Sequence, residues 1–206
     1  MIFFDEQTKT FYLESKNVSY IFCVNECGFL NHLYYGRRIS REDLSHTVYL
    51  VDRGHGSNIA GKWRDKSLNV YANECPMYGR SDYRESMLAF DFDGVRVGDF
   101  VYSGYTIYDK KPALEGLPSV RGNQTIEIIL KDDLHGAKVS LFYTVFEDLP
   151  VILRHAEIEN ESEKPFDLDR AYSFCVDMPD KEWQAITLPG AHLRERSAER
   201  VSLSHG

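Results

Sequence analysis

The chain has 206 residues, of which 43% are hydrophobic and 27% charged, and its formal net charge is -8 at pH 7. This length suits one all-β domain, and the acidic balance disfavours nucleic acid or an anionic membrane as the main partner. The sequence lacks a run of about 18 apolar residues that could span a bilayer and a positively charged signal region at its N-terminus. These features predict a single soluble domain in the cytoplasm.

Short β-type segments separated by turn signals run through most of the chain. They are rich in Val, Ile, Tyr and Phe, which suit a pleated, half-buried surface. Because the sequence shows no helical apolar stripe over a dozen residues, serial antiparallel strands are expected. The predicted strands cover residues 11–13, 18–25, 46–51, 87–92, 99–108, 124–132, 138–147, 151–160 and 166–177.

Local turn signals connect several of these strands. Asp93-Gly94 is typical of a tight hairpin, because glycine tolerates the positive φ that such turns require. His135-Gly136 predicts a similar connection, and residues 160–165 predict a turn from the strand at 151–160 into the next one.

The fold class predicted from this pattern is an all-β antiparallel β-sandwich, since two such sheets can cover each other's apolar faces. The C-terminal residues 204–206 follow the last β-type residues without a cap or a polar taper, which indicates a sandwich that is incomplete at that end.

The segment from residue 52 to residue 84 interrupts the strand pattern with acids, arginines, aromatic residues and glycines. Asp52, Arg53, Trp63 and Arg64 form the first candidate site. Carboxylates and guanidinium groups bind sugar hydroxyls, and an indole face packs on the C–H face of a sugar ring. Spacing alone favours ion pairs within the loop and simple packing of the indole over a sugar site.

A second cluster contains Glu74, Asp82, Arg84 and Glu85. Paired carboxylates are used in glycoside hydrolysis, but these residues precede a strand and can equally form ion pairs across the loop. We therefore assign no catalytic role to this cluster. Residues 190–196 alternate charged and other residues, which fits either an edge strand with solvated charges or a binding segment.

Motifs for metal, phosphate or nucleophile chemistry are missing from the sequence. It contains no H-E-x-x-H, C-x-x-C, G-x-S-x-G or phosphate-loop pattern, so no metal site and no cofactor are predicted. Cys23, Cys27, Cys75 and Cys175 are too few and too unevenly spaced for a disulfide framework, and they are predicted to be reduced thiols.

Taken in order, a series of segments resembles the N-terminal β-domain of bacterial α-galactosidases of glycoside hydrolase family 36. The segments are GFLNHLYYG at 28–36, DRG at 52–54, ECPMYGRSDYR at 74–84, GLP at 116–118, LFYTVF at 141–146, VILR at 151–154, Asn160, LPG at 188–190 and RER at 194–196. They span nearly the whole chain.

The resemblance implies that residues 1–206 form a single N-terminal β-supersandwich of the galactose-mutarotase-like type. In such enzymes a following (β/α)8 barrel carries the two Asp residues of the retaining reaction. Because this chain shows no β/α alternation, we expect it to contain no catalytic residue and to be inactive in isolation.

The resemblance also implies partners. The family tends to form tetramers in which a loop of one subunit's β-domain helps to close a neighbour's pocket for α-galactosides of the melibiose or raffinose type. By position, that role falls to Asp52 and Arg64, with Arg53 and Trp63 as further candidates. The expected partners are thus the sugar, the enzyme's own barrel domain and further copies of the subunit.

Two other functions remain open from the sequence. The chain could be a free-standing carbohydrate-binding module that uses the same loop. Alternatively, it could be an aldose-epimerase-like enzyme with His155 as acid and Glu157 as base, although both residues fall on one face of a predicted strand and a structural role is favoured.

Overall fold

A computed structural model describes residues 1–48, 58–59, 66–79, 82–116, 120–177 and 182–203. Within these ranges the regular structure consists of β-strands and two short 3-10 turns, Ser45–Thr47 and Leu68–Val70. No helix in the described part of the chain is long and apolar enough to cross a membrane. The strands are β1 (Ile2–Asp5), β2 (Thr10–Ser15), β3 (Val18–Val24), β4 (Leu30–Arg37), β5 (Leu88–Asp91), β6 (Val101–Tyr108), β7 (Gln124–Asp132), β8 (Ala137–Val145), β9 (Ile152–Asn160), β10 (Asp167–Ala171), β11 (Gln184–Thr187) and β12 (Glu199–Ser202).

Two four-stranded antiparallel sheets face each other, which confirms the predicted β-sandwich. One sheet has the order β1-β2-β3-β4 and the other β6-β7-β8-β9, so each is a meander of consecutive strands. Their inner faces share one core, in which the rings of Phe22 on β3 and Tyr143 on β8 lie 5.1 Å apart. Two smaller antiparallel pairs, β5 with β10 and β11 with β12, lie outside these sheets.

Alternation of apolar residues explains how the second sheet faces the core. Ile126, Ile128 and Leu130 occupy every second position of β7 and are almost fully buried. Successive strand residues point to opposite faces, so these three side chains line the inner face together. The bounds predicted for this strand, 124–132, are confirmed.

Two of the predicted turns are confirmed by left-handed backbone. Asp93 and Gly94 have φ values of 57° and 87°, as a tight turn after β5 requires, and Gly136 between β7 and β8 has a φ of 66°. Residues 160–165 also turn the chain, but the strand that follows does not return along β9. Instead, β10 pairs with β5, a partner that is distant in sequence.

Several predicted strand bounds are wrong. Residues 45–47 form a 3-10 turn rather than the start of a strand, and a carboxylate oxygen of Asp43 accepts the N–H of Ser45 at 2.8 Å. This local hydrogen bond favours a turn over extended backbone. Residues 49–51 lie outside the described residues. Strand β10 ends at Ala171, well before residue 177, and β1, β4, β11 and β12 were not predicted.

Candidate functional site

All four residues of the first candidate site, Asp52, Arg53, Trp63 and Arg64, lie outside the described residues. The structure instead describes the residues that flank and support them, namely 58–59, 66–79 and 82–84. The N–H of Ile59 donates to the carbonyl of Lys66 at 2.7 Å, so the two residues that flank 60–65 are held together. Ile59, Leu68 and Tyr71 form a second, smaller buried cluster beneath this point.

Glu74 is the centre of a buried polar network that ties the segment to both sheets. Its side chain is fully buried, and one carboxylate oxygen accepts hydrogen bonds from Tyr20 at 2.5 Å, Tyr143 at 2.8 Å and Nη1 of Arg154 at 2.9 Å. The other oxygen lies 3.2 Å from Nδ1 of His32. Arg154 also donates to the backbone carbonyl of Glu74 at 2.7 Å. Because these partners come from β3, β4, β8 and β9, one carboxylate joins the segment to four strands.

Opposing effects set the charge state of this network. Burial raises the pKa of Glu74, but the charge of Arg154 and the hydrogen bonds from His32 and Tyr20 outweigh it, so the pKa lies below its ordinary value. Burial and the neighbouring carboxylate both raise the pKa of Tyr20 and Tyr143 well above that of a free phenol. The network therefore holds an ionised carboxylate opposite a guanidinium, with both phenols protonated.

A second polar cluster fixes the end of the segment. The carboxylate of Asp82 is 1% exposed and accepts hydrogen bonds from Asn73 at 2.7 Å and from Nε of Arg84 at 3.1 Å. Arg84 continues to the carbonyl of Leu68 at 3.2 Å and to the carboxylate of Asp177 at 2.7 Å. We call Asp82, Asn73 and Arg84 the clasp. Through Leu68 and Asp177 they connect residues 68–73, residues 82–84 and residue 177.

These contacts decide between the catalytic interpretation and the ion-pair interpretation of the second cluster, which the sequence left open. Glu74 and Asp82 each belong to a separate buried network, while the exposed Glu85 pairs with Arg170. Asp82 and Arg84 form an ion pair with each other, two residues apart. The carboxylates at 74 and 82 are thus structural, because each is already engaged by cationic and neutral donors.

Sequence reasoning missed four of the five members of the Glu74 network. Tyr20, His32, Tyr143 and Arg154 lie 42 to 80 residues from Glu74 along the chain, so no local spacing connects them. One signal was present, since Arg154 falls in an otherwise apolar start of a strand, in the run VILR. A cation in such a place needs a buried partner.

The remaining candidates have ordinary structural environments. His155 stacks on Phe142 with ring centroids 4.6 Å apart and lies 3.7 Å from Glu157, on a strand where the histidine's burial lowers its pKa. Residues 190–196 are an exposed connection between β11 and β12 rather than an edge strand. The four cysteines are free thiols, and no group of three or more metal-ligating residues occurs in the described ranges.

The protein is thus an all-β sandwich in which the Glu74 network and the clasp hold the described residues of a long polar segment. The family model for the glycosyl hydrolase family 36 N-terminal domain matches residues 28–206. This chain therefore belongs to glycoside hydrolase family 36, as an N-terminal domain of that family.

Relatives with known activity agree with this assignment. Alpha-galactosidase 1 of Pediococcus pentosaceus is 32% identical over 100% of this chain. The solved structure of the α-galactosidase AgaB from Geobacillus stearothermophilus covers 100% of this chain with a TM-score of 0.91 and 35% identity. A structure of a doubly substituted AgaA from the same organism in complex with raffinose covers 95% of this chain at 35% identity, with a TM-score of 0.88.

This chain covers a much smaller share of these relatives than they cover of it. This chain spans 29% of the length of the Pediococcus enzyme and of AgaB, and 28% of the AgaA chain. The likeness to α-galactosidase N-terminal domains favours neither of the two alternatives, a free-standing binding module or an aldose-epimerase-like enzyme.

Proposed function

We propose that this chain is the N-terminal domain of an α-galactosidase that hydrolyses terminal α-galactosides with retention of configuration. The single observation that supports this most is the match of the whole chain to α-galactosidases of which it covers only 29%. The catalytic carboxylates belong to the barrel of the parent enzyme. Residues 1–206 act as one β-sandwich domain that supplies assembly surface and a substrate-proximal loop.

The loop role falls to Asp52 and Arg64, assisted by Arg53 and Trp63. Two carboxylate or guanidinium groups can orient the hydroxyls of a galactoside in a neighbouring subunit's pocket, and the indole can cover an apolar sugar face. The support described above favours this role. A loop that must reach a second subunit needs a fixed origin. The Glu74 network fixes its base to both sheets, and the clasp joins residues 68–73 and 82–84 to Asp177.

The substrate class is an α-galactoside of the melibiose or raffinose type. Support comes from AgaA, whose variants have been solved with raffinose and with stachyose. We further propose that the parent enzyme is a cytoplasmic homotetramer. Four free thiols fit a reducing compartment, and a loop that completes a neighbour's site requires at least one further subunit.

Turnover of an aryl α-galactoside tests the proposal. The isolated chain 1–206 should show no hydrolysis, whereas the longer parent chain should release the phenol. Turnover by the isolated chain, or none by the parent, overturns the proposal.

Kinetics of the parent chain then test the loop. Arg64→Ala should raise KM or lower kcat for raffinose, whereas Lys62→Ala, a charge-removing control in the same segment, should leave both close to wild type. Equal effects of the two substitutions contradict the specific role of Arg64.

A further inference from the structure

An open groove lies on the side of the sandwich formed by β5, β10 and the residues before β5. Its volume is about 590 Å³. Small-molecule sites commonly fall between roughly 300 and 1,000 Å³, so a mono- to trisaccharide is of suitable size. Among the described residues that line it, none belongs to the Glu74 network, and Arg84 of the clasp is one of them.

Two tyrosines form one wall of this groove. Tyr78 is 46% exposed and Tyr83 is 57% exposed, and their rings meet nearly edge to face with centroids 6.2 Å apart. Edge-to-face contact holds each ring in a defined orientation and leaves ring surface free for a ligand. Leu88, Phe90 and Phe100 line the groove and are buried, so an apolar floor lies below the tyrosine wall.

Charged side chains of both signs also line the groove. Arg96 contacts Asp169 at 3.5 Å, and Arg170 pairs with Glu85. Two guanidinium groups are thus paired with two carboxylates. The third guanidinium of the lining, Arg84, is paired with Asp82 and Asp177, so each cation of the groove has an acidic partner. A guanidinium carries five N–H donors and a carboxylate accepts several hydrogen bonds, which together suit a neutral ligand with many hydroxyls.

We propose that this groove, lined by Tyr78, Tyr83, Arg96, Asp169 and Arg170, is a saccharide-binding site. A pyranose ring packs its C–H face on Tyr83, and its hydroxyls donate to Asp169 and accept from Arg96. The site goes beyond the proposed function, because none of its five residues is among those proposed there to contact the substrate. Its accessible rim predicts weak binding, with a dissociation constant on the order of 1 mM.

Amide chemical shifts of the 1–206 chain, titrated with raffinose, test this site. Saturable shifts are expected at Tyr83, Gly98 and Arg170, and glycerol at equal hydroxyl concentration should not reproduce them. Tyr83→Ala should abolish the shifts, and Tyr83→Phe should retain them because the ring face remains. Tyr35→Ala, which removes a tyrosine that is 46% exposed and outside the groove, should leave binding intact.

Three results overturn the site: no saturable shift, equal shifts with glycerol, or unchanged binding in Tyr83→Ala with wild-type thermal stability. Loss of binding in Trp63→Ala would also overturn it, since the sugar would then bind the loop. Hydrolysis by the parent enzyme does not enter this experiment, so failure of the groove and failure of the proposed function remain distinguishable.

Discussion

Replacement of Glu74 by glutamine should destabilise the domain strongly, although the two side chains have nearly the same shape. The carboxylate accepts from Tyr20, Tyr143 and Arg154 through one oxygen and faces His32 with the other. A glutamine amide keeps one accepting oxygen but carries no charge, so its hydrogen bonds are weaker than the charge-assisted bonds to the carboxylate. The substitution also leaves Arg154, whose side chain is 8% exposed, without its buried counter-charge.

The size of the effect follows from that burial. Removal of one partner of a buried ion pair costs about 3–5 kcal/mol, because the remaining charge stays out of water. In a domain of this length, 1 kcal/mol shifts the melting temperature by about 2–4 °C, so Glu74→Gln should lower Tm by roughly 10 °C. The pair Lys138–Glu159 offers a control, since the Glu159 side chain is 61% exposed and Glu159→Gln should leave Tm unchanged.

Urea unfolding followed by circular dichroism measures the loss as a lower midpoint at an unchanged slope. The double variant Glu74→Gln/Arg154→Met should recover part of the stability, because it removes the uncompensated charge as well. If Glu74→Gln matched Glu159→Gln within about 0.5 kcal/mol, the network would not be the support described above.

Acid should weaken the Glu74 network and so lower the stability of the fold. The pKa of Glu74 is lowered in the folded protein, so its ionisation stabilises the fold above the ordinary value of 4.5 and this contribution is lost as pH falls through the folded pKa. The stability difference between wild type and Glu74→Gln should therefore be largest near neutral pH and shrink below pH 4.5. A difference that grows on acidification would contradict the assigned direction.

Three further predictions concern the clasp, a glycine and a thiol. Asp82→Asn should cost about 1.5–3 kcal/mol in urea unfolding, because it removes a buried charged acceptor; a cost below about 0.5 kcal/mol speaks against the clasp. Gly79→Ala should lower Tm measurably, because φ is 137° and the added Cβ would lie 2.6 Å from a backbone carbonyl, whereas Gly104→Ala meets open space and should not. Burial raises the pKa of Cys23 to about 12, so this thiol should resist a thiol reagent until urea unfolds the chain, and rapid native labelling of Cys23 would contradict its burial.

Much of the sandwich could be predicted from local pattern. Alternation of Ile126, Ile128 and Leu130 gave the bounds of β7, and Asp93-Gly94 gave the turn after β5. Pairing between distant strands could not be predicted in this way, since β10 follows β9 in sequence but pairs with β5. Local turn residues determine where the chain reverses, whereas the strand with which β10 pairs depends on how both sheets pack.

The candidate site shows the same difference between local contacts and contacts between distant parts of the chain. The sequence left ion pairing open for the second cluster, and Asp82 and Arg84, two residues apart, form such a pair. It gave no indication that Glu74 is buried among Tyr20, Tyr143 and Arg154, because those partners become neighbours only when two sheets close on the segment. The residues proposed to touch substrate, Asp52 and Arg64, still rest on the family resemblance and therefore need a direct test.

Subunit complementation of the parent enzyme tests the central claim most directly. One variant carries Asp52→Ala and Arg64→Ala with an intact barrel, and the other keeps the loop but has its catalytic carboxylate replaced. Each alone should hydrolyse raffinose poorly, and co-expression should restore kcat/KM in mixed assemblies, because intact loops then meet intact barrels. Activity of the mixture no greater than the sum of the separate variants would contradict a loop that serves a neighbouring subunit.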